Sequence, residues 1–236
     1  MVRRRPSLCL ALLLFIPLFL KAAGLPAVLP DTLAQRLTAC TSCHARTDTA
    51  QGTEYFPRIA GKPAGYLYNQ LINFRDGRRQ YPVMAYMVTH LPEPYLHEIA
   101  GYFAALPPSV HPAAGANAPP DAALLERGRV LAPQGDAARK VPACIACHGQ
   151  ALSGTLPAVP GLVGLPRDYV NAQFGAWRNR TRQATAPDCM ATIAARLSLD
   201  DINAVSTWLA GQPFAPDARP APAFTHPLPL ACGSVP

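Results

Sequence analysis

The stretch that decides the fold is Cys40-Thr41-Ser42-Cys43-His44, and its pattern returns as Cys144-Ile145-Ala146-Cys147-His148. Each reads C-x-x-C-H, the pattern by which haem is attached covalently to a protein. The two thiols add to the vinyl groups of one porphyrin, and the following histidine reaches the iron. A zinc site or a thiol redox pair shares C-x-x-C, but neither requires the histidine. The sequence therefore predicts two covalent haems, with thiols from Cys40, Cys43, Cys144 and Cys147 and iron ligands from His44 and His148.

An internal repeat surrounds the two motifs. Residues 56–61, FPRIAG, match residues 159–164, VPGLVG, at an offset of 103 residues. The apolar residues beyond them recur at helical spacing, and no run alternates as a strand does. The pattern predicts an all-α fold of two tandem haem domains, residues 28–106 (the first half) and 121–212 (the second half). The same offset of 103 relates Tyr66, Gln70, Phe74 and Arg75 to Tyr169, Gln173, Trp177 and Arg178.

The segments outside the two halves differ in composition. Residues 107–120 are rich in proline and alanine, which is typical of a linker, and residues 213–236 form a proline-rich tail. At the N-terminus, three arginines precede an apolar run at 8–20 and small residues at 22–24. This layout predicts a secretory signal peptide, residues 1–24, with an uncleaved membrane anchor as the alternative. Both place the rest of the chain outside the cytoplasm.

The net charge does not indicate a nucleic-acid partner. The full sequence carries +7, but four basic residues lie in the predicted signal peptide, and without them 17 basic and 14 acidic residues remain. Each ferric haem with two ionised propionates contributes a further negative charge, so the loaded protein is close to neutral. Basic and aromatic residues are not interleaved either. We therefore expect no nucleic acid among the partners.

Two methionines are candidates for the sixth iron ligand. A methionine thioether raises the potential of haem by favouring ferrous iron. Met84 and Met190 each stand seven residues before a leucine that the repeat matches, Leu91 and Leu197. They lie 40 and 42 residues after the histidine of their own motif, so similar loops would close over both haem faces. Packing in the core is the alternative interpretation.

On these features the chain resembles the cytochrome c4 family of dihaem cytochromes. The resemblance rests on the two motifs, the FPRIAG and VPGLVG segments, the helices YLYNQLINFR and YVNAQFGAWR and the methionine spacing, over about residues 28–212. It implies two class I cytochrome c domains with one haem c each, in a periplasmic carrier between respiratory donors and a terminal oxidase or another acceptor. It also implies that the carbonyls of Pro57 and Pro160 accept hydrogen bonds from the iron-binding histidines, which fixes their rings.

Other polar side chains near the haems have two interpretations. Tyr66 and Tyr169 are candidates for hydrogen bonds to haem propionates, and packing of their rings in the core is a comparable alternative. Three arginines in each half lie between the middle helix and the ligand loop, where they hold propionates, form a docking patch for a redox partner or are simply solvated. These are Arg75, Arg78, Arg79, Arg178, Arg180 and Arg182.

Cys189 and Cys232 lie outside the motifs, and in an oxidising compartment they can pair and hold the tail near the second haem. A Cys189 thiolate at the iron is a further alternative, which would indicate a thiosulfate-oxidising dihaem enzyme. With two histidine–methionine pairs neither iron has an open position, so we expect an electron carrier without a small-molecule substrate. Its partners would be redox proteins. The second hypothesis is the cytochrome subunit of a dehydrogenase complex, such as a sulfide-oxidising flavocytochrome.

Overall fold

The computed structural model describes residues 31–44, 56–108, 121–215 and 217–235. The chain divides into two compact units, residues 1–36 and 37–236. The described part of the first unit is the short helix α1, Leu33–Arg36, and the two residues before it. The predicted signal peptide and most of the predicted linker lie outside the described residues, so both remain predictions.

The described residues of the second unit form helices and one short hairpin. A series of three helices in the first half returns in the second, in agreement with the repeat. No helix in these ranges has the length and apolarity needed to cross a membrane. The elements are α2 Thr38–His44, α3 Ala64–Arg75, α4 Pro82–Val88, α5 Glu93–Ala105, α6 Ala122–Gln134, α7 Ile145–His148, β1 Gly154–Thr155, β2 Val159–Pro160, α8 Arg167–Arg178, α9 Cys189–Arg196 and α10 Leu199–Ala210.

In the first half, α3 packs against α5. Leu96, Ile99 and Phe103 of α5 recur at spacings of three and four residues, so they share one helix face, and each is buried. Leu67 and Phe74, seven residues apart, are buried apolar residues of α3. The helical periodicity of the sequence therefore produces the faces that form this core.

In the second half, α6 crosses α10 at Gly128. A Cβ atom at this position would lie 2.3 Å from the carbonyl oxygen of Ala204 and 2.5 Å from Cβ of Trp208, so glycine permits the close approach of the two helices. Val205 and Leu209 of α10 belong to the core cluster of this half. Because α6 also contacts α7, this crossing supports the helix that carries the second motif.

The hairpin and the tail form a small sheet beside α7. β1 pairs antiparallel with β2, and the register places Gly154 opposite Pro160. Ala221 of the tail forms a parallel bridge with Thr155. Its N–H donates to the Gly154 carbonyl at 2.8 Å, and its own carbonyl accepts from the Leu156 N–H at 2.9 Å. The tail is therefore an integral part of the second half.

A buried carboxylate, Asp201, joins α10 to α6 and to the turn after it. Ser198 and Asp201, three residues apart, form a capping box that begins α10. The same carboxylate accepts hydrogen bonds from Arg127, at 2.9 Å, and from Arg139. Burial raises the pKa of the Asp201 carboxyl, but the hydrogen bonds from Arg139, Ser198 and Arg127 outweigh burial and hold its pKa well below the usual value.

We expect Asp201→Asn to lower the free energy of unfolding at pH 7 by about 2 kcal/mol, below the roughly 3–5 kcal/mol of a fully buried pair because both arginines are partly exposed. The depressed pKa stabilises the fold above the unfolded value of about 3.9, and this stabilisation is lost as the pH falls through the folded pKa. In denaturant titrations, the difference in unfolding free energy between the parent and the variant should therefore shrink as the pH falls from 7 to 3. The exposed neighbour variant Asp200→Asn is the control, and a deficit that stays constant with pH would contradict the role of the charge.

Candidate haem sites

The first motif lies on α2, which ends at His44. The helix places Cys40 and Cys43 three residues apart and therefore on one face. Nδ1 of His44 lies 3.0 Å from the carbonyl oxygen of Pro57. Because a carbonyl only accepts, Nδ1 carries the proton, and Nε2 keeps its lone pair for a metal. Burial lowers the pKa of His44, which favours the neutral ring that a metal requires.

The second motif forms α7, with Cys144 flanking its N-terminus. Nδ1 of His148 lies 2.7 Å from the carbonyl oxygen of Pro160, so the two halves share one arrangement. The pairing of β1 with β2 positions Pro160. His148 is 6% exposed, and burial lowers its pKa to about 4. This imidazole is neutral at physiological pH, with Nε2 available as a ligand.

A cavity lies beside the second motif. Its walls include Cys144, Cys147, His148 and Met190. An apolar chamber that offers two thiols, one imidazole and one thioether suits a flat apolar porphyrin with an iron at its centre. The residues of the second half therefore fit a covalently attached haem. The remaining wall is largely aromatic and aliphatic, and includes Leu131, Val141, Tyr169, Val170, Phe174, Trp177, Ile193 and Leu209.

The two matched methionines both lie in the first turn of a short helix. Met190 is the second residue of α9, whose N-cap Asp188 accepts from the backbone N–H of Ala191 at 2.9 Å. Met84 is the third residue of α4 and is partly buried, whereas its neighbour Tyr86 is 83% exposed. Residues 45–55, which follow the first motif, lie outside the described ranges. Iron coordination by either methionine stays a prediction.

Cys189 and Cys232 form a disulfide. It ties the tail to the first residue of α9, directly before Met190. The end of the tail is also held by the first half, because Nδ2 of Asn69 donates to the Ser234 carbonyl at 2.9 Å. A disulfide-bonded cysteine has no thiolate to offer. With this disulfide in place, Cys189 cannot serve as an iron ligand. The alternative of a thiosulfate-oxidising enzyme, which depends on that ligand, is therefore disfavoured.

Equivalent backbone segments of the two halves meet in a reciprocal seam. Arg79 and Arg182, which the repeat matches, form an antiparallel bridge. Each half then donates one backbone N–H to the other, which is the pattern of a two-fold arrangement. These hydrogen bonds run from Gln80 N–H to Thr181 O and from Gln183 N–H to Arg78 O, both at 2.7 Å.

The side chains of the seam follow the same reciprocity. Arg79 donates to Oε1 of Gln70 and to Oε1 of Gln173, both at 2.8 Å. Arg182 donates to Oε1 of Gln173 at 2.6 Å and to Oε1 of Gln70 at 3.2 Å. It also donates to the hydroxyl of Tyr66 at 3.3 Å. The glutamines that the repeat matches thus join the two halves.

The other arginines after the middle helices have different surroundings. Arg75 and Arg78 pair with Asp76, each at 3.0 Å. Arg178 donates to two backbone carbonyls in and just after α9. Arg180 is exposed. Of the six, Arg79 and Arg182 are therefore the pair that faces the interior of the molecule.

Lys62 was not predicted as a site residue. It is 6% exposed, its Nζ donates to the Gly161 carbonyl at 3.2 Å, and it lines the cavity that contains His148. The repeat places Leu165 at the equivalent position, and this break in an otherwise matched segment is the signal that could have identified it. Five tail residues also line the cavity, and only Cys232 among them was singled out in the sequence, as a partner for Cys189. The other four carried no such signal; they are Leu228, Leu230, Ser234 and Val235.

The other chemistries that share C-x-x-C find little support. The described residues contain no group of three or more histidine, cysteine or acidic side chains that could hold a metal ion. Burial raises the pKa of the Cys144 thiol to about 11, whereas the reactive thiol of a redox pair has a lowered pKa. At neutral pH the Cys144 thiol is therefore protonated, unlike the reactive thiol of a redox pair.

Comparison with known proteins places the chain among electron-transfer cytochromes. No protein-family model matches it. It is 36% identical over 178 residues to a thiosulfate dehydrogenase electron acceptor from Thiomonas intermedia, covering 75% of this chain and 80% of that protein. It is 33% identical over 204 residues to a cytochrome c4 from Pseudomonas aeruginosa, covering 85% of this chain and 98% of that protein.

Solved structures share the fold. Reduced cytochrome c4 from Pseudomonas stutzeri matches with a TM-score of 0.62 and 28% identity, over 75% of this chain and 95% of that one. A thiosulfate dehydrogenase from Marichromatium purpuratum also matches with a TM-score of 0.62, at 34% identity over 74% of this chain. Our chain spans only 36% of that longer polypeptide. The predicted all-α fold of two tandem haem domains is confirmed.

Proposed function

Since this chain belongs to the cytochrome c4 family of dihaem c-type cytochromes, we propose that it is the electron acceptor of a thiosulfate dehydrogenase. It is an electron carrier with two covalently bound haem c groups. The observation that carries the proposed partner is the 36% identity to a thiosulfate dehydrogenase electron acceptor over 80% of that protein. This favours the hypothesis of a dehydrogenase-associated cytochrome, with a respiratory protein as the next acceptor.

We assign one haem to each half, with the domain boundaries at residues 28–106 and 121–212. Each iron would be held by an imidazole and a thioether. The hydrogen bonds of the two histidines to Pro57 and Pro160, at 3.0 and 2.7 Å, support the imidazole side of this assignment. The ligands are Cys40, Cys43, His44 and Met84 for the first haem, and Cys144, Cys147, His148 and Met190 for the second.

Haem, when bound, supplies a one-electron ferric–ferrous couple. The side chains and backbone around each haem set the redox potential of that couple and its access to water. The proline carbonyls orient the imidazole rings and increase their basicity as ligands. The methionine thioethers favour the reduced state, and the apolar walls keep water away. Because an imidazole and a thioether of the chain would hold each iron, the residues of the chain provide for electron transfer and leave the oxidation of substrate to the partner.

We place the protein in the periplasm. The N-terminal layout predicts export, and the disulfide between Cys189 and Cys232 suits an oxidising compartment. A thiosulfate dehydrogenase that works outside the cytoplasm would meet the carrier there.

The test is reduction of the purified ferric protein by a partner enzyme. We expect thiosulfate together with the Thiomonas intermedia thiosulfate dehydrogenase to reduce both haems, as the ferrous absorption bands would show. Thiosulfate alone should leave the protein ferric, because the proposed histidine and methionine ligands would leave no open position for it on either iron.

Two outcomes would contradict the proposal. No reduction by an enzyme that still reduces an artificial acceptor would exclude this partner. Rapid reduction by thiosulfate without the dehydrogenase would make the chain an enzyme. A Met190→Ala variant provides a matched control, since loss of one thioether should lower the yield of reduced haem without changing the dependence on the enzyme.

A further inference from the structure

Buried cations gather at the seam without acidic partners. Arg58, Lys62 and Arg182 are 5%, 6% and 6% exposed, and Arg79 is partly buried. None of the four forms an ion pair with a carboxylate of the described residues. Burial of a charge without a counter-charge destabilises the folded state. An anion at this place would therefore stabilise the fold.

The present partners of these cations are neutral. Lys62 donates to the Gly161 carbonyl, and Arg182 donates to two glutamine amides and the Tyr66 hydroxyl. Nε of Arg58 is buried and has no hydrogen-bond partner among the described residues. Burial, and after it the positive charges of Arg58, Arg182 and Arg79, lower the pKa of Lys62 to about 7. Neutral acceptors do not compensate this much charge.

Two of the cations line the cavity of the second haem. Lys62 and Arg182 share its wall with Cys144, Cys147 and His148. Lys62 belongs to the first half, and its Nζ contacts Gly161, the residue after the proline that holds His148. A haem carries two propionate carboxylates, which are anions that must be placed when the porphyrin occupies the cavity.

We propose that Lys62, together with Arg182, binds a propionate carboxylate of the second haem, so that the first half completes the second haem site. Lys62 is a positioning residue that acts on the haem potential through this carboxylate. The inference rests on the proposed attachment of the second haem at Cys144 and Cys147. The second half has Leu165 at the position equivalent to Lys62. The second half therefore supplies no lysine of its own at this position.

The expected consequence is a difference in redox potential between the two haems that depends on Lys62. A positive charge near a haem favours the ferrous state, because it offsets the negative propionate. We expect Lys62→Met to lower the potential of the second haem by about 59 mV, which corresponds to a tenfold change in a one-electron equilibrium constant. The potential of the first haem should stay unchanged.

The experiment is a redox titration of the intact dihaem protein followed by absorption spectroscopy. Separate Met84→Ala and Met190→Ala variants identify which potential belongs to which haem. Lys62→Arg should keep the potential close to that of the parent, since it retains the charge. Lys140→Met is the matched control, because it removes an exposed lysine from the surface.

The possible results of the redox titration distinguish failure of the Lys62 inference from failure of the proposed function. A second-haem potential that Lys62→Met does not move, in a protein with two haems, would overturn the inference and leave the proposed function intact. A shift confined to the first haem would overturn the cross-domain assignment. A shift that appears only when phosphate is added would assign the site to a solution anion and overturn the propionate. Fewer than two haems per chain would instead refute the attachment sites of the proposed function.

Discussion

Met190→Ala is expected to lower the potential of the second haem by on the order of 0.1–0.3 V, within the roughly 0.8 V that axial ligands control. It should also remove about half of the near-infrared band of methionine-ligated ferric haem. The physical reason is the loss of the thioether, which stabilises ferrous iron. Met84→Ala should have the same effect on the first haem, since the repeat matches the two methionines.

The chain offers a matched control for this prediction. Met87 lies three residues after Met84 on the same helix, and it is 36% exposed. Met87→Ala should leave the band and both potentials unchanged. If Met84→Ala or Met190→Ala leaves the band intact, that methionine is not an iron ligand.

Cys232→Ser is expected to cost up to about 4 kcal/mol of unfolding free energy. The disulfide joins residues 43 positions apart, and the chain-entropy model gives about this value for a loop of that length. Because Cys189 directly precedes Met190, the variant should also loosen the second haem site. On heating, the half of the near-infrared band that comes from the second haem should disappear before the other half.

Denaturant unfolding of the haem-loaded protein measures the stability change. Cys189→Ser breaks the same bond and should therefore cause the same loss, and the double variant should lose nothing more. Additive losses would show that the cysteines act separately and not through the bond. If both halves of the near-infrared band disappear at the same temperature, the disulfide-linked tail does not stabilise the region around Met190.

Features that depend on residues close together in the chain could be predicted from the sequence alone. C-x-x-C-H specifies its cofactor because thioether attachment fixes the spacing of two thiols and an imidazole. The capping box at Ser198 could be recognised because its two partners are three residues apart. The repeat revealed two similar domains because helix faces that pack on equivalent cores keep the same apolar spacing.

Contacts between distant segments could not be predicted in this way. The repeat identified Gln70 and Gln173 as equivalent, but their role appears only when the halves are placed together. β1 and β2 are two residues long, so they carry no alternating pattern, and they depend on the tail strand at Ala221. The pairing of Cys189 with Cys232 was open because their separation in space is a tertiary property.

The reciprocal hydrogen bonds between residues 78–80 and 181–183 have an evolutionary consequence. A contact in which each side offers the same groups to the other is the isologous kind that homodimers use. An ancestral domain with one haem could therefore have associated with its own copy through this surface. Gene duplication and fusion would then have preserved the contact and given it a fixed local concentration. The symmetry of this contact does not extend to positions 62 and 165, where the first half has lysine and the second has leucine.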